Sequence, residues 1–282
     1  MFKIGNKIIN QSNKPYIIAE ACINHEGNIE KAKKMVVNAA KAGASAIKFQ
    51  MHILEDEMLK VTPKSKNFDE SLYDTLDRTN LNIKQHIYLK NYCKKYKIDY
   101  LCTPFSRKSA DILHKEVRVN VFKVGSGELT NLPLQLHIAK KKLPTIISTG
   151  MSTEEEINAC VESCSPDVIF HTNSTYPSPV SELNLSYITW LKDKYPHSVI
   201  GYSGHEYGLV PTFVSVVMGA KYVERHITLD RTLWGSDQMA SVEPAGLIKM
   251  IKGIRDIEAS IGTGGPRQLL EGEESKRKSL RK

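Results

Sequence analysis

The sequence predicts an α/β protein that folds as a (β/α)8 TIM barrel with an N-terminal β-hairpin cap. Two observations lead to this fold class. Short runs rich in β-branched and aromatic residues recur eight times along the 282 residues, and each is followed by a polar or glycine-rich bend and then a helical pattern. Strands that alternate with helices pair in parallel through right-handed crossovers, and eight such units close into a barrel.

The predicted strands are evenly distributed along the chain. They cover residues 16–19, 46–49, 100–103, 121–124, 145–148, 168–172, 199–202 and 222–226. Two of the intervening helices have clear apolar faces, made of Ala32, Met35, Val36, Ala39, Ala40 and Gly43 and of Leu247, Met250, Ile251, Ile254, Ile257 and Ile261. Thr153 and Glu156 predict a capping box at the start of a third helix.

The two ends of the chain and one long connection depart from this repeat. Residues 2–9, with Gly5-Asn6 at the centre, predict a hairpin that covers the N-terminal face of the barrel. Residues 51–80 form an unusually long connection, which we expect to cover the substrate. The predicted catalytic barrel spans residues 1–265, and residues 266–282 form a basic C-terminal tail or linker.

Composition limits the classes of protein to consider. Apolar residues make up 41% and charged residues 25%, values typical of a globular domain, and neither a transmembrane run nor a signal peptide is evident. Five scattered cysteines indicate reduced thiols, so we expect a cytoplasmic protein. The net charge of +8 is spread over several helices without a nucleic-acid-binding motif, which favours an anionic small-molecule substrate over nucleic acid or membrane.

Polar residues follow the predicted strands, at the end of the barrel where catalytic residues of this fold lie. Lys48 and Lys123 occur within otherwise apolar strands, and a buried ammonium requires an anion. Residues 125–127 and 148–150 offer backbone N–H groups and hydroxyls suited to a phosphate group, although each could be a simple turn. Together these features indicate a phosphate-containing substrate.

Two histidines indicate a metal site. His205 and His226 follow consecutive strands, so both imidazoles could reach one ion, although a histidine at such a position can also be structural. Two imidazoles with positions left for oxygen ligands suit Mn²⁺, Zn²⁺ or Fe²⁺. Cys22 and Cys102 lack the spacing to a histidine expected of a catalytic nucleophile.

These residues belong to motifs that resemble those of the sialic acid synthase family, which includes N-acetylneuraminate synthase and related nonulosonic acid synthases. The matching segments run in order over nearly the whole chain: PYIIAEACINHEGN (15–28), AIKFQ (46–50), HILEDEM (52–58), YLCTPF (100–105), FKVGSGELTNLPL (122–134), ISTGM (147–151), YP (176–177), IGYSGHE (200–206), ERHITLDRT (224–232) and GSDQMASVEP (235–244). The resemblance implies an enzyme that condenses phosphoenolpyruvate with the aldehyde of an N-acetylated amino sugar of the N-acetylmannosamine type and releases phosphate by C–O cleavage.

The resemblance also assigns roles to residues of this chain. It implies catalytic roles for Glu20, Lys48 and Lys123, and metal binding by His205 and His226, with Mn²⁺ the expected ion. The residues implied to bind the substrates are Gln50, Thr103, Ser126, Ser148, Ser174, Tyr176 and Asp237. The family implies a homodimer, and we expect residues 266–282 to be a tail or linker rather than the family's usual antifreeze-like C-terminal domain.

Several alternatives stay open. A legionaminate, pseudaminate or sialic acid 9-phosphate synthase would share these motifs. Ser203-Gly204-His205 replaces the more common Ser-Asp-His pattern, and Ser174 stands where some relatives have asparagine. Two further alternatives are an aldolase that forms a Schiff base through Lys48 or Lys123, and a sugar-binding paralogue without catalytic activity.

Overall fold

The computed structural model describes residues 2–4, 7–9, 14–61, 70–262 and 264–281, with side chains from residue 14 onward. β1 (Phe2–Ile4) and β2 (Lys7–Ile9) pair in antiparallel orientation, which confirms the predicted hairpin strands. The turn residues Gly5 and Asn6 lie outside the described residues. The position of the hairpin over the N-terminal face of the barrel stays a prediction.

Eight parallel strands form the central sheet, as predicted. They are β3 (Tyr16–Glu20), β4 (Ala46–Met51), β5 (Asp99–Pro104), β6 (Phe122–Val124), β7 (Thr145–Ser148), β8 (Val168–Thr172), β9 (Val199–Gly204) and β10 (Tyr222–His226). Their order is β5-β4-β3-β10-β9-β8-β7-β6, so the first and last strands of the repeat pair directly. β5 and β6 lie side by side at the remaining seam, and the sheet is a nearly closed barrel.

Helices connect the strands. In the described ranges they are α1 (Ile29–Ala42), α2 (Leu54–Glu57), α3 (Leu72–Thr79), α4 (Ile83–Lys95), α5 (Arg107–Ile112), α6 (Leu132–Ala139), α7 (Glu154–Cys164), α8 (Tyr187–Lys194), α9 (Val210–Val217), α10 (Pro244–Ile261) and α11 (Glu271–Leu280). None of them combines the length and apolarity needed to cross a bilayer. α11 lies within the predicted tail and has only exposed or half-buried residues.

Local sequence explains where the helices begin and end. The Thr153 side chain accepts a hydrogen bond from the Glu156 amide, and the Glu156 carboxylate accepts one from the Thr153 amide, which confirms the predicted capping box. Gly43 does not belong to the apolar face of α1, because it caps the C-terminus with a left-handed φ of 88° that favours glycine. Ile261 also departs from prediction, since it is exposed in the last turn of α10.

The barrel interior explains how the strands position polar groups. Its lower part is filled by Tyr16, Ile18, Ala46, Leu101, Val121, Ile146, Val168, Phe170, Val199 and Tyr222. Side chains two residues apart on a strand point to the same face of the sheet. Glu20 therefore lies above Ile18 and Lys48 above Ala46, and the register pairs Glu20 with Lys48. The interior is thus polar at the C-terminal ends of the strands, and the apolar residues named above fill the part beneath.

The long connection after β4 contains α2 and α3, while residues 62–69 lie outside the described residues. Its two ends meet where the Asn80 side-chain amide donates to the His52 carbonyl oxygen at 2.8 Å. The Arg78 guanidinium lies 4.0 Å from the centre of the Trp234 ring, which links α3 to the loop after β10. Coverage of the substrate by this connection stays a prediction.

Candidate active site

A cavity of about 300 Å³ opens at the C-terminal ends of the strands. All eight barrel strands contribute to its wall, and so do the loops that follow them. The structure brings together every site residue predicted from the sequence: Glu20, Lys48, Gln50, Thr103, Lys123, Ser126, Ser148, Ser174, Tyr176, His205, His226 and Asp237. The wall also contains residues to which the sequence gave no role at the site, among them Cys22 and Glu224.

Four buried charged groups form the floor of the cavity. Lys48 Nζ lies 2.8 Å from Glu20 Oε2 and 3.3 Å from Glu224 Oε1. Lys123 Nζ lies 3.9 Å from the same Glu224 oxygen. Each of these side chains is at most 5% exposed, so the charges are screened little by solvent. Glu224 therefore links the two lysines. The sequence did not predict this role, although Glu224 lies two residues before His226 and so on the same face of β10.

Burial shifts the proton equilibria of this cluster. Burial raises the pKa of Glu20 to about 7, with the Glu224 carboxylate adding to the rise and Lys48 opposing it. Burial lowers the pKa of Lys123 to about 8. Burial also opposes the charge of Lys48, but the carboxylates of Glu20 and Glu224 outweigh it and raise the pKa of Lys48. Two groups therefore titrate close to neutrality, as groups that exchange protons in catalysis do.

Hydroxyl groups surround the lysines. Lys123 Nζ donates to Ser148 Oγ at 2.6 Å, and Lys48 Nζ donates to Thr103 Oγ1 at 3.3 Å. The Gly150 amide donates to Ser126 Oγ at 3.1 Å, which joins the loops after β6 and β7. A β-carbon on Gly150 would lie 2.1 Å from Ser174 Oγ, so only glycine fits there without displacement. These cations and hydroxyls suit a phosphate or carboxylate group.

The two predicted histidines lie beside each other on one side of the cavity. Their ring centres are 5.1 Å apart, and the Tyr176 ring packs against His205 at 4.1 Å. His205 Nδ1 bonds to the Asn173 carbonyl oxygen at 2.6 Å, which places its proton on Nδ1 and leaves the Nε2 lone pair for a cation. Burial lowers the pKa of His205 and, more strongly, of His226, so both rings are neutral, the form that binds metals.

Further donors meet His226. Sγ of Cys22, a ring nitrogen of His226 and a carboxylate oxygen of Asp237 all lie within 4.8 Å of one another. Nδ1 of His226 is buried without a hydrogen-bond partner and lies 3.7 Å from Asp237 Oδ2. An imidazole, a carboxylate and a sulfur are suitable ligands for a divalent transition metal. The residues present therefore fit a metal ion, and His205 lies beside this donor set, with its ring centre 5.1 Å from that of His226.

Gln50 is held by a chain of polar contacts. Its Oε1 lies 3.3 Å from Nε2 of His52, and Nδ1 of His52 lies 2.8 Å from Oε2 of Glu57. The Phe105 ring stacks on His52 with centres 4.2 Å apart. The short helix α2, which carries Glu57, therefore positions a side chain of the cavity wall.

A buried ion pair supports the loops that carry the histidines. Arg225 donates to Oε1 of Glu206 at 2.8 Å and to its carbonyl oxygen at 2.6 Å. Tyr202 donates to the other carboxylate oxygen of Glu206 at 2.8 Å. Because Glu206 follows His205 and Arg225 precedes His226, this pair holds the ends of β9 and β10 together.

Comparison with known proteins gives a consistent result. The sequence model described as the NeuB family matches residues 35–265. N,N'-diacetyllegionaminic acid synthase of Campylobacter jejuni is 36% identical over 264 residues, which cover 89% of this chain and 78% of that protein. Human N-acetylneuraminate-9-phosphate synthase is 34% identical over 267 residues, covering 90% of this chain and 73% of that protein.

Solved structures agree with these sequence matches. The N-acetylneuraminic acid synthetase of Leptospira borgpetersenii, solved with citrate, superimposes with a TM-score of 0.84 at 32% identity, covering 99% of this chain and 97% of that one. A truncated 3-deoxy-D-arabino-heptulosonate 7-phosphate synthase of Thermotoga maritima has a TM-score of 0.72 at 13% identity, covers 93% of both chains, and shares the fold alone.

Proposed function

Because the chain belongs to the NeuB family, we propose that it condenses phosphoenolpyruvate with the aldehyde of an open-chain N-acetylated amino sugar. The chain is an enzyme of this family, whose named members include synthases of sialic, legionaminic and pseudaminic acids. C3 of phosphoenolpyruvate forms a bond to the aldehyde carbon, and the aldehyde oxygen takes a proton. Water adds to C2 and loses a proton, and the C2–O bond to phosphate breaks as the C2 hydroxyl gives its remaining proton to the departing phosphate. The products are a nonulosonic acid and phosphate.

One observation carries the proposal: two buried lysines and a pair of histidines face the same cavity. Lys48 and Lys123 would bind the carboxylate and phosphate of phosphoenolpyruvate, together with the hydroxyls of Thr103 and Ser148. Both lysines line the cavity at the C-terminal end of the barrel, where substrates of this fold bind. The remaining residues proposed to contact phosphoenolpyruvate are Ser126 and Ser174.

Other side chains of the cavity would act on the sugar and on water. Glu20 would take a proton from the attacking water, since a carboxylate with a pKa of about 7 is a suitable base near neutral pH. Gln50, Tyr176 and Asp237 would face the sugar or the reacting centre. His205 and His226 would hold a divalent cation, with Mn²⁺ expected from the resemblance. When bound, the cation would supply Lewis-acid polarisation of the aldehyde oxygen.

The decisive experiment measures phosphate release from phosphoenolpyruvate in the presence of Mn²⁺. N-acetylmannosamine, its 6-phosphate, and the precursors of legionaminic and pseudaminic acid are offered in parallel, each with an EDTA control. In ¹⁸O-labelled water the label should appear in the sugar acid and not in phosphate, because the C–O bond breaks. Release that is independent of sugar, or label in phosphate, would refute the reaction; binding without release would indicate a sugar-binding paralogue.

Two variants sharpen the experiment. Glu20→Gln keeps the size of the side chain but cannot accept the proton, and full turnover by this variant would refute the role of Glu20. Lys108→Met removes a lysine from the exposed surface of α5 and should leave the rate unchanged, which controls for the loss of a positive charge elsewhere.

The likeness to the sialic acid synthase family is also the reason to propose a homodimer. Light scattering would measure the mass of the protein in solution.

A second candidate function is favoured by Lys123 alone. Burial lowers its pKa to about 8, and a lysine that is easily deprotonated can form a Schiff base with a ketone substrate. Borohydride reduction in the presence of pyruvate would trap a covalent adduct on Lys123 if the chain were an aldolase of this kind. Absence of an adduct together with inhibition by EDTA would exclude it in favour of the condensation.

A further inference from the structure

Cys22 occupies a conformation that is unusual for a residue with a side chain. It lies two residues after Glu20 at the end of β3, with a φ of 44° in the left-handed region. A β-carbon is strained there, so glycine is the residue that this conformation favours. The Cys22 amide donates to Oε1 of Glu20 at 2.8 Å, which fixes the loop, and Cys22 is 6% exposed at the cavity wall.

The thiol faces two further metal-binding groups from a distant part of the chain. The Cys22 Sγ, a His226 ring nitrogen and an Asp237 carboxylate oxygen lie within 4.8 Å of one another. Nδ1 of His226 has no hydrogen-bond partner, although the side chain is only 7% exposed. Ligands of one tetrahedral ion lie roughly 3.5 Å apart, since metal–ligand bonds are about 2.0 to 2.3 Å long. A contraction of about 1 Å would place all three on one ion.

We propose that Cys22 is a ligand of the divalent cation in this cavity, together with His226 and Asp237. On binding, the thiol loses its proton to water and sulfur donates an electron pair to the ion. Thiolate is a soft ligand, whereas Mn²⁺ prefers oxygen ligands. The site is therefore expected to favour Zn²⁺, Co²⁺ and Cd²⁺ over Mn²⁺ more strongly than a site built from histidine and oxygen ligands alone. This inference deepens the metal requirement of the proposed function.

The side chains around the thiol support this assignment. The thiol adjoins the carboxylate of Asp237, and that carboxylate also lies 3.7 Å from Nδ1 of His226. A structural role would need only the contact between Cys22 and Asp237. It would leave the buried Nδ1 of His226 without a partner, which is costly in a protein interior. A cation bound to Nδ1 and shared by the three residues would satisfy that nitrogen.

Titration of the metal-free protein with Co²⁺ tests the proposal directly. A thiolate bound to Co²⁺ gives a charge-transfer band in the near ultraviolet, which imidazole and carboxylate ligands do not. The band is expected for the wild-type protein and should be absent in Cys22→Ser and Cys22→Gly, the second of which suits the left-handed backbone. Cys164→Ser, which removes a half-buried thiol on α7 outside the cavity wall, should retain the band.

Affinities give a second readout that does not depend on catalysis. Cys22→Ser should weaken Cd²⁺ binding about tenfold or more and change Mn²⁺ binding much less, as measured by calorimetry. Bound Co²⁺ without a charge-transfer band, or an unchanged ratio of the two affinities in Cys22→Ser, would overturn the proposal. Because binding is measured without substrates, a wild-type protein with the band but no condensation would refute the proposed function and leave the role of Cys22 intact.

Discussion

Replacing Lys123 with methionine is expected to stabilise the fold while removing most of the activity. Burial lowers the pKa of Lys123 from its ordinary value of 10.5 to about 8, so the fold disfavours the charged form. At about 1.4 kcal/mol for each tenfold change in the proton equilibrium, keeping the charge at neutral pH costs about 3 kcal/mol of stability. Methionine has a similar length and no charge. Ser148 loses its partner at a cost of about 1 kcal/mol, which leaves a gain of about 2 kcal/mol.

The sign of this effect can be checked through pH. The pKa of Lys123 is lower in the folded than in the unfolded protein. The loss of stability caused by its buried charge is therefore fully present below pH of about 8. It disappears as pH rises towards 10.5. Denaturant unfolding should therefore show Lys123→Met to be more stable than wild type at pH of about 7, and the difference should shrink at pH of about 10. The corresponding rise in Tm at neutral pH is about 4 °C.

Activity should change in the opposite direction. Each hydrogen bond to a charged group contributes about 1.5 to 3 kcal/mol, so losing one or two contacts to the substrate anion should lower kcat/KM roughly 10- to 10⁴-fold. Phosphate release measures this loss, and Lys108→Met on the exposed surface of α5 is the matched control. A lower Tm for Lys123→Met, or a kcat/KM close to that of wild type, would refute the reasoning.

Three more predictions follow from the same contacts. In the wild-type protein, kcat/KM for phosphoenolpyruvate should fall as pH rises through about 8, since Lys123 loses its charge; a flat profile would contradict this. Glu224→Gln removes the carboxylate that raises the pKa of Lys123, so the fall should begin at lower pH, and an unmoved profile would argue against the link. Arg225→Met leaves the carboxylate of Glu206 buried without its cation, which should lower the free energy of unfolding by about 3 to 5 kcal/mol in a denaturant titration. A loss below about 1 kcal/mol would show the pair to be dispensable.

The stability costs at this site have a common physical origin. Two ammonium groups and two carboxylates are buried at the polar end of the barrel, although burial of each charge is unfavourable. Glu224 limits the cost because it lies close to both lysines. The pair of Arg225 and Glu206 serves a different purpose, since it lies outside the cavity wall and positions the strand ends that carry the histidines. Stability and activity are therefore expected to respond oppositely to mutation of Lys123 and in parallel to mutation of Arg225.

The sequence was sufficient to predict the eight strands, their order and the polar residues at their ends. Strand and helix patterns are local, and in a parallel barrel the residues that follow every strand meet at one end, so the location of the site follows from chain order alone. For this reason all twelve predicted residues, from Glu20 to Asp237, line one cavity. Two residues were wrongly predicted to belong to the apolar faces of helices, Gly43 and Ile261. Both lie at helix ends, where helical periodicity no longer determines burial.

The tertiary structure alone decided which of these side chains touch. Glu224 bridges Lys48 and Lys123, and Cys22 meets Asp237, because the strand register and the curvature of the barrel bring residues far apart in the chain into one layer. The sequence predicts neither contact, because the partners are much further apart in the chain than the few residues over which strand and helix patterns repeat. The pKa values of Glu20 and Lys123 likewise depend on the burial of the charge and on every neighbouring charge at once. Sequence determined which groups reach the cavity, and three-dimensional packing determined their charges and partners.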